Sequence, residues 1–259
     1  MLTRLNMRKY LVLLCWFLLV VGLQTAGSQP AMPVFDGIDG YWYIDGSSVK
    51  KMDSQGEILA TYSNIALGNP SLVDASDPFR VMVFYTETQT VVILNSNASV
   101  VGTPINLTDF GLGEIPLVCR SSRGGFWILD ITQGQIMHFS ETFKPTSMEI
   151  SVGSDYQFSP KSFLIEHNGT VYLGSIGKNI SRWDLYGAEL ESVDVSYEAL
   201  RFEGNYLWVK KNDEIVRVNL NEVEPDVKYA CPCNALPLSV QGQTKCFDGA
   251  SFKLCKKID

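Results

Sequence analysis

The residues with the most obvious chemistry are the cysteines. Four of the six, Cys231, Cys233, Cys246 and Cys255, fall in the last 30 residues of a 259-residue chain. Thiolates can hold zinc, but Cys231-Pro232-Cys233 followed by two widely spaced cysteines is not a strong zinc spacing. In an oxidising compartment the four are expected to form disulfides. Cys246 can pair with Cys255, because their separation puts both on one face of a short hairpin, or each can pair with a member of the 231/233 couple. The spacing leaves both arrangements open. Cys119, inside the apolar stretch Ile115 to Cys119, is the odd thiol and reads as a small buried hydrophobe.

The two histidines, His138 and His167, lie in no metal-ligand spacing, and each reads as an exposed or internally satisfied polar residue. No Gly-x-Ser-x-Gly elbow and no phosphate loop is present. Asp36, Asp39, Asp45 and Asp53 cluster near the start, but their spacing matches no calcium loop, and Asp beside Gly is ordinary turn chemistry. No cofactor and no metal ligand is therefore assigned. Trp42, Trp127, Trp183, Trp208, Tyr43 and Tyr172 recur at fixed strand positions, where packing needs bulk. Tyr41 and Phe126, next to turns, are the candidates for a binding surface. Asn97, Asn106, Asn168 and Asn179 each begin an Asn-x-Ser/Thr sequon, a glycan acceptor only in a eukaryotic secretory pathway.

Elements must position these residues, and the chain announces them by repetition. From Gly125-Phe126-Trp127-Ile128-Leu129-Asp130, apolar residues follow at +6 (Ile136) and +9 (Phe139) and a polar one at +10 (Ser140). The same offsets from Tyr85, Gly174 and Val209 give Val91, Leu94 and Asn95, then Ile180, Trp183 and Asp184, then Ile215, Val218 and Asn219. Copies ending at Asp45 and Asp248 share a hairpin two residues shorter, with near-identical turns at Asp45-Gly46 and Asp248-Gly249. The six reference points stand 35 to 45 residues apart, which is room for about four short strands. No helical period is sustained after the N-terminus. The spacing predicts an all-β fold, a β-propeller of six blades over residues 29–259 with a cysteine-rich final blade at 226–259; five blades with a disulfide-bonded tail is the alternative. Residues 29 to 37 are expected to close the ring by completing the last blade, which would remove exposed strand edges.

Residues 1–28 read as a signal peptide: Arg4, Arg8 and Lys9, an apolar run from Tyr10 to Leu23, then Ala26, Gly27 and Ser28. The run of about 14 residues is shorter than the roughly 20 that span a bilayer. Cys15 follows Leu14 in mid-run, which argues against lipidation. A secreted or periplasmic protein without a membrane span is expected. The formal charge of −7 and the absence of a basic stretch exclude a nucleic-acid partner.

Asn168 to Leu173 followed by Ile180-Ser181-Arg182-Trp183-Asp184-Leu185-Tyr186-Gly187 resembles an NHL-type propeller repeat, and with weaker copies the resemblance covers residues 33 to 259. Arg80 replaces the strand-leading glycine in the second copy, and the fifth lacks the lead-in proline. The chain is also similar to small exported propeller proteins of Bacteroidota. The resemblance implies architecture and leaves function to the site, since propellers host binding, scaffolding and several chemistries. The expected role is a non-enzymatic binding or scaffold propeller that presents its loop faces to a protein or glycan partner. The alternative is a lactonase-like, metal-dependent hydrolase with an axial cation. Glu114, Glu166 and Asn205 lie near blade strands, but none matches a motif of those enzymes.

Overall fold

The computed structural model describes residues 32–152, 156–159, 162–175, 179–212, 214–220, 227–233 and 235–258. The signal segment 1–28 and Pro160 lie outside them. Within them the chain forms six antiparallel sheets. Blade one comprises β1 (Val34–Phe35), β2 (Tyr41–Asp45), β3 (Ser48–Met52) and β4 (Ile58–Ser63), and blade two β5 (Leu72–Asp74), β6 (Val81–Tyr85), β7 (Thr90–Leu94) and β8 (Ile105–Asn106). Blade three holds β9 (Leu117–Arg120), β10 (Phe126–Asp130), β11 (Gln135–Phe139) and β12 (Pro145–Ser151), and blade four β13 (Phe163–His167), β14 (Thr170–Gly174), β15 (Ile180–Asp184) and β16 (Glu189–Val193). Blade five is built from β17 (Ala199–Glu203), β18 (Tyr206–Lys211), β19 (Glu214–Asn219) and β20 (Val227–Ala230); blade six contains β21 (Leu238–Val240), β22 (Gln243–Phe247) and β23 (Phe252–Leu254), and β24 (Lys256–Ile258) ends the chain. The fold is a six-bladed β-propeller.

The repeat offsets are cross-strand partners. Leu129 faces Ile136 and Phe126 faces Phe139 in blade three, as Phe84 faces Val91 and Val81 faces Leu94 in blade two. Because side chains alternate along a strand, a blade in the ring offers one set to each neighbour. Phe126 and Ile128 pack towards blade two, while Trp127 and Leu129 pack towards blade four. This is why the central strands read as nearly continuous apolar runs. Apolar clusters occupy every junction, including blade six against blade one, where Leu238, Val240 and Phe247 meet Tyr41, Tyr43 and Met52.

The polar residue at +10 builds the turn between third and fourth strands. Asn95 accepts the Asn97 and Ser99 amides on its side-chain oxygen, and Asp184 does the same for Tyr186 and Ala188. The fourth turn residue is left-handed in these copies: Ala98 at φ 59° and Gly187 at φ 87°. Glycine there costs nothing sterically, which explains the D-x-x-G pattern.

Ring closure differs from the sequence expectation. Val34 and Phe35 pair with Trp42 and Tyr41 inside blade one, not with blade six. The physical reason is proximity: the turn from Asp36 to Gly40, five residues long, returns the chain directly alongside its own start. Blade six remains three-stranded, and the chain after Cys255 crosses to blade five, where Lys228, Tyr229 and Ala230 pair with Ile258, Lys257 and Lys256. Since β20 and β24 both join blade five, the final blade is narrower than the predicted 226–259. The junction between blades six and one is closed by side-chain packing and by two bonds, Tyr41 Oη to the Ser239 carbonyl and Gln241 Nε2 to Ser54 Oγ. The outer strand of blade two is short, Ile105–Asn106, with one further bridge between Leu94 and Val100.

Candidate functional site

Each innermost strand ends in a turn on the same face of the ring, and four of the six place a carboxylate there: Asp36, Asp74, Glu166 and Glu203. These acids are occupied by the fold. Asp36, 1% exposed, accepts the amides of Ile38, Asp39 and Gly40 on one oxygen and meets Lys51 Nζ (3.2 Å) and Trp42 Nε1 (3.3 Å) with the other. Burial alone would raise its pKa, but the Gly40 and Ile38 amides and the Lys51 ammonium outweigh that and hold it below the usual range. Asp74 reaches across to blade three and accepts the Arg120 amide at 2.8 Å. Glu166 takes Trp127 Nε1 at 2.7 Å and the Ser122 amide at 2.9 Å, both from blade three. Glu203 takes Trp208 Nε1 at 2.9 Å and the Ser239 amide of blade six at 2.7 Å. Trp42, Trp127 and Trp208 thus face their neighbours and are buried, and their indole N–H groups are satisfied by inner-ring carboxylates.

Between blades two and three the buried Arg120 guanidinium meets Glu141 (2.9 Å) and Asp77 (3.4 Å), and Arg80 meets Glu141 at 2.7 Å. Burial would raise the Glu141 pKa, but the Gly125 amide, Arg120 and Arg80 carry it below its ordinary value.

The face of blade five turned to blade six is different. Arg201 of β17 sits opposite Trp208 of β18, which sits opposite Arg217 of β19. The Arg217 guanidinium lies 4.2 Å from the Tyr206 ring centroid, 5.8 Å from Trp208 and 5.9 Å from Tyr229, with a buried Nε that has no hydrogen-bond partner. Among the described residues the Arg201 side chain makes no hydrogen bond or ion pair, while its backbone belongs to the β17–β18 ladder. Burial pulls its pKa down to about 10, with Glu203 opposing. A cleft of about 460 Å³ adjoins this face, lined by Lys210, Glu214, Lys228, Tyr229, Pro232 and Ile258 among others.

The sequence candidates fare unevenly. Tyr41 and Phe126 are 4% and 1% exposed. Both precede or follow turns, but Tyr41 faces blade six and Phe126 faces blade two, so neither is a surface residue. His138 is buried, with Nε2 bonded to the Gly124 carbonyl (2.9 Å) and Nδ1 to Thr146 Oγ1 (3.2 Å); burial lowers its pKa despite the Gly124 bond. His167 Nε2 and Asn168 Nδ2 both donate to the Gly204 carbonyl of blade five. Asp39 pairs with Lys51, Asp45 with Lys50, and Asp53 accepts amides of its own turn. Glu114, Glu166 and Asn205 do not converge: Glu166 serves Trp127, the Glu114 amide bonds Thr132, and Asn205 meets Asn168.

The tail cysteines form Cys231–Cys255 and Cys233–Cys246, which selects one of the two open arrangements. Among the described residues the only group of three His, Cys, Asp or Glu ligand atoms within 4.8 Å of one another is Cys231, Cys246 and Cys255, all oxidised. Cys119 is free and buried; burial raises its pKa well above the usual value, and Asp74 and Glu166 add to the rise. Sequence reasoning missed Arg201, Arg217 and Glu203. Their spacing of two within Ala199–Glu203 and Glu214–Asn219 was the available signal.

No known protein-family profile matches the chain, and no curated protein does. Solved structures do. A streptogramin B lyase aligns over 91% of this chain and 82% of its own, with TM-score 0.58 and 12% identity. A catalytically inactive histidine-to-alanine form of virginiamycin B lyase from Staphylococcus aureus, with quinupristin, aligns over 76% and 68%, with TM-score 0.52 and 13% identity. A protein of unknown function from Bacteroides caccae aligns over 73% of each chain, with TM-score 0.51 and 12% identity. At these identities the likeness establishes the propeller fold.

Proposed function

We propose that this chain is an exported, non-enzymatic propeller of the NHL-like type that presents its loop faces to a protein or glycan partner. The observation that carries the reading is the occupation of the inner-ring carboxylates. An axial cation in a lactonase-like site needs several free oxygen ligands converging from different blades. Here Asp36, Asp74, Glu166 and Glu203 already receive N–H donors from the fold. Both histidines make hydrogen bonds to backbone carbonyls, which disfavours a lyase reading by analogy with the streptogramin enzymes.

Loop residues, by contrast, are available. On the face that carries the inner-strand turns, Ile38, Phe79 and Tyr186 are 58%, 66% and 78% exposed, and Arg123 stacks on Tyr186 at 4.2 Å. Exposed aromatic and arginine groups are typical anchors of recognition surfaces. Two disulfides suit an oxidising compartment, and no helix among the described residues is long and apolar enough to cross a membrane.

Crosslinking and co-purification from the native host test the reading, paired with assays of lactone, ester and quinupristin turnover with and without added divalent metal. A partner whose recovery is lost in Phe79→Ala or Tyr186→Ala supports it. Metal-dependent turnover, or linearisation of quinupristin, refutes it.

A further inference from the structure

We propose that the seam between blades five and six binds an oxyanion, a carboxylate or sulfate borne by a small molecule or glycan, between the guanidinium groups of Arg201 and Arg217. Among the other cations of the ring, Lys51 has Asp36, Arg80 has Glu141, and Arg120 has Glu141 and Asp77. At this seam two guanidinium groups share one face of blade five, on either side of Trp208, with one carboxylate beside them. That carboxylate, Glu203, is already engaged by the Trp208 indole and the Ser239 amide and is not within ion-pair distance of either arginine.

The opposing wall fits a polar ligand. Leu238 and Val240 of β21 pack towards blade one, so the alternating Ser239 turns towards blade five, and its cross-strand partner Thr244 turns with it. Neither is fully buried. Small hydroxyl side chains leave space and offer donors to an anion. The indole of Trp208 is 2% exposed, so the site reads charge and hydrogen bonding, with no open stacking surface on that ring.

Arg201 and Arg217 are partly buried, and a guanidinium withdrawn from water without an oxygen partner is unfavourable. A planar fork of N–H donors is matched by carboxylate or sulfate oxygens. Burial depresses the Arg201 pKa, with Glu203 opposing, and a bound anion would raise it. The inference concerns the seam alone and stands apart from the loop-face reading: anion binding without a macromolecular partner would leave the seam proposal intact and refute the other.

The experiment is calorimetric titration of the full disulfide-bonded chain with sodium sulfate and with sodium D-glucuronate, against sodium chloride at equal ionic strength. Saturable binding of sulfate alone assigns a sulfate ester, of glucuronate alone a uronate carboxylate, and of both a general oxyanion site. Arg201→Gln and Arg217→Gln should each weaken binding at least tenfold, with Arg182→Gln unchanged. In the unsubstituted protein, phenylglyoxal labelling mapped by mass spectrometry should slow at Arg201 and Arg217, and not at Arg182, when the bound anion is present. No saturable binding of either anion, or binding indifferent to both substitutions and without protection of either arginine, overturns the proposal.

Discussion

Trp127 of blade three donates its indole N–H to the Glu166 carboxylate of blade four across 2.7 Å, and the same carboxylate receives the Ser122 amide. One acid thereby ties a buried aromatic and a backbone turn of one blade to the inner strand of the next. Glu203 makes a related link, taking the Trp208 indole of its own blade five and the Ser239 amide of blade six. These bonds explain how a ring with large aromatic residues at its junctions keeps their polar edges satisfied.

Replacing Glu166 with Ala therefore removes the acceptor from three donors at once, the Trp127 indole and the amide and hydroxyl of Ser122. Leaving buried donors unmet costs about 1–3 kcal/mol each, reduced here because Ser122 is exposed and can turn to water. We expect a loss of about 2–3 kcal/mol in denaturant unfolding. Glu166→Gln, which keeps one acceptor oxygen, should lose less than half of that. Equal losses in the two variants would mean that packing and not the bonds holds this junction.

Glycines separate by what surrounds them. Gly125 has φ +80°, and a Cβ there would lie 1.9 Å from the Phe139 carbonyl oxygen, a backbone atom that cannot swing away. Gly46 has φ +58° with open space around it. Gly46→Ala should cost roughly 1 kcal/mol, the penalty of a left-handed residue. Gly125→Ala should cost roughly 3 kcal/mol or more through overpacking and displacement of β11. Parallel denaturation curves of the two variants check the ordering.

Much of this was legible in the chain because a propeller writes its hairpin repeatedly: the offsets that aligned Asp130, Ile136 and Phe139 are the registers of β10 and β11. The tail's relation to blade one was legible from its turn, and the closure was not. Pairing partners of short strands such as Val34–Phe35 and Lys256–Ile258 carry almost no sequence signal, since two or three residues support many registers. The surface assignments of Tyr41 and Phe126 failed for a related reason. Adjacency to a turn says nothing about which neighbouring blade a side chain meets, and in a ring both faces of a blade are covered. The Arg201 and Arg217 pair was hidden because its juxtaposition depends on strand register across blade five.

His138 supplies a pH test. Its pKa is lowered from 6.5 chiefly by burial, so the folded state favours neutral imidazole, with Nε2 donating to the Gly124 carbonyl. The unfolded chain binds the proton first as pH falls. The His138 contribution is therefore complete above about pH 6.5 and diminishes as pH falls towards the lowered folded value, below which it changes no further. Stability should decline from pH 7 to 5, and His138→Gln should flatten that slope while costing some stability at pH 7. Carboxylates give their own loss at lower pH: Asp36 and Glu141, with depressed values, contribute stability above roughly pH 4 that disappears as pH falls through their folded values. A slope between pH 7 and 5 that survives in His138→Gln would move its origin away from this histidine.

The two disulfides should not be equivalent. Cys231–Cys255 spans 24 residues and stands immediately beside the Ala230 to Lys256 pair, so it fastens β24 to blade five as well as closing the longer loop. Cys233–Cys246 spans 13 residues and lies in the buried cluster with Ala235. Loop-closure entropy makes each worth about 3 kcal/mol, with the longer loop slightly ahead. Paired Ser substitution at 231 and 255 should therefore destabilise by about 3 kcal/mol and also free the last strand. Amide exchange at Lys256, Lys257 and Ile258 should then accelerate, together with exchange at their partners in β20. Paired substitution at 233 and 246 should lower global stability without selective exchange at β24, because the 231–255 bond still holds that strand. If β24 stays protected after loss of Cys231–Cys255, its three-residue pairing with β20 is sufficient by itself, and the bond acts only on the unfolded chain.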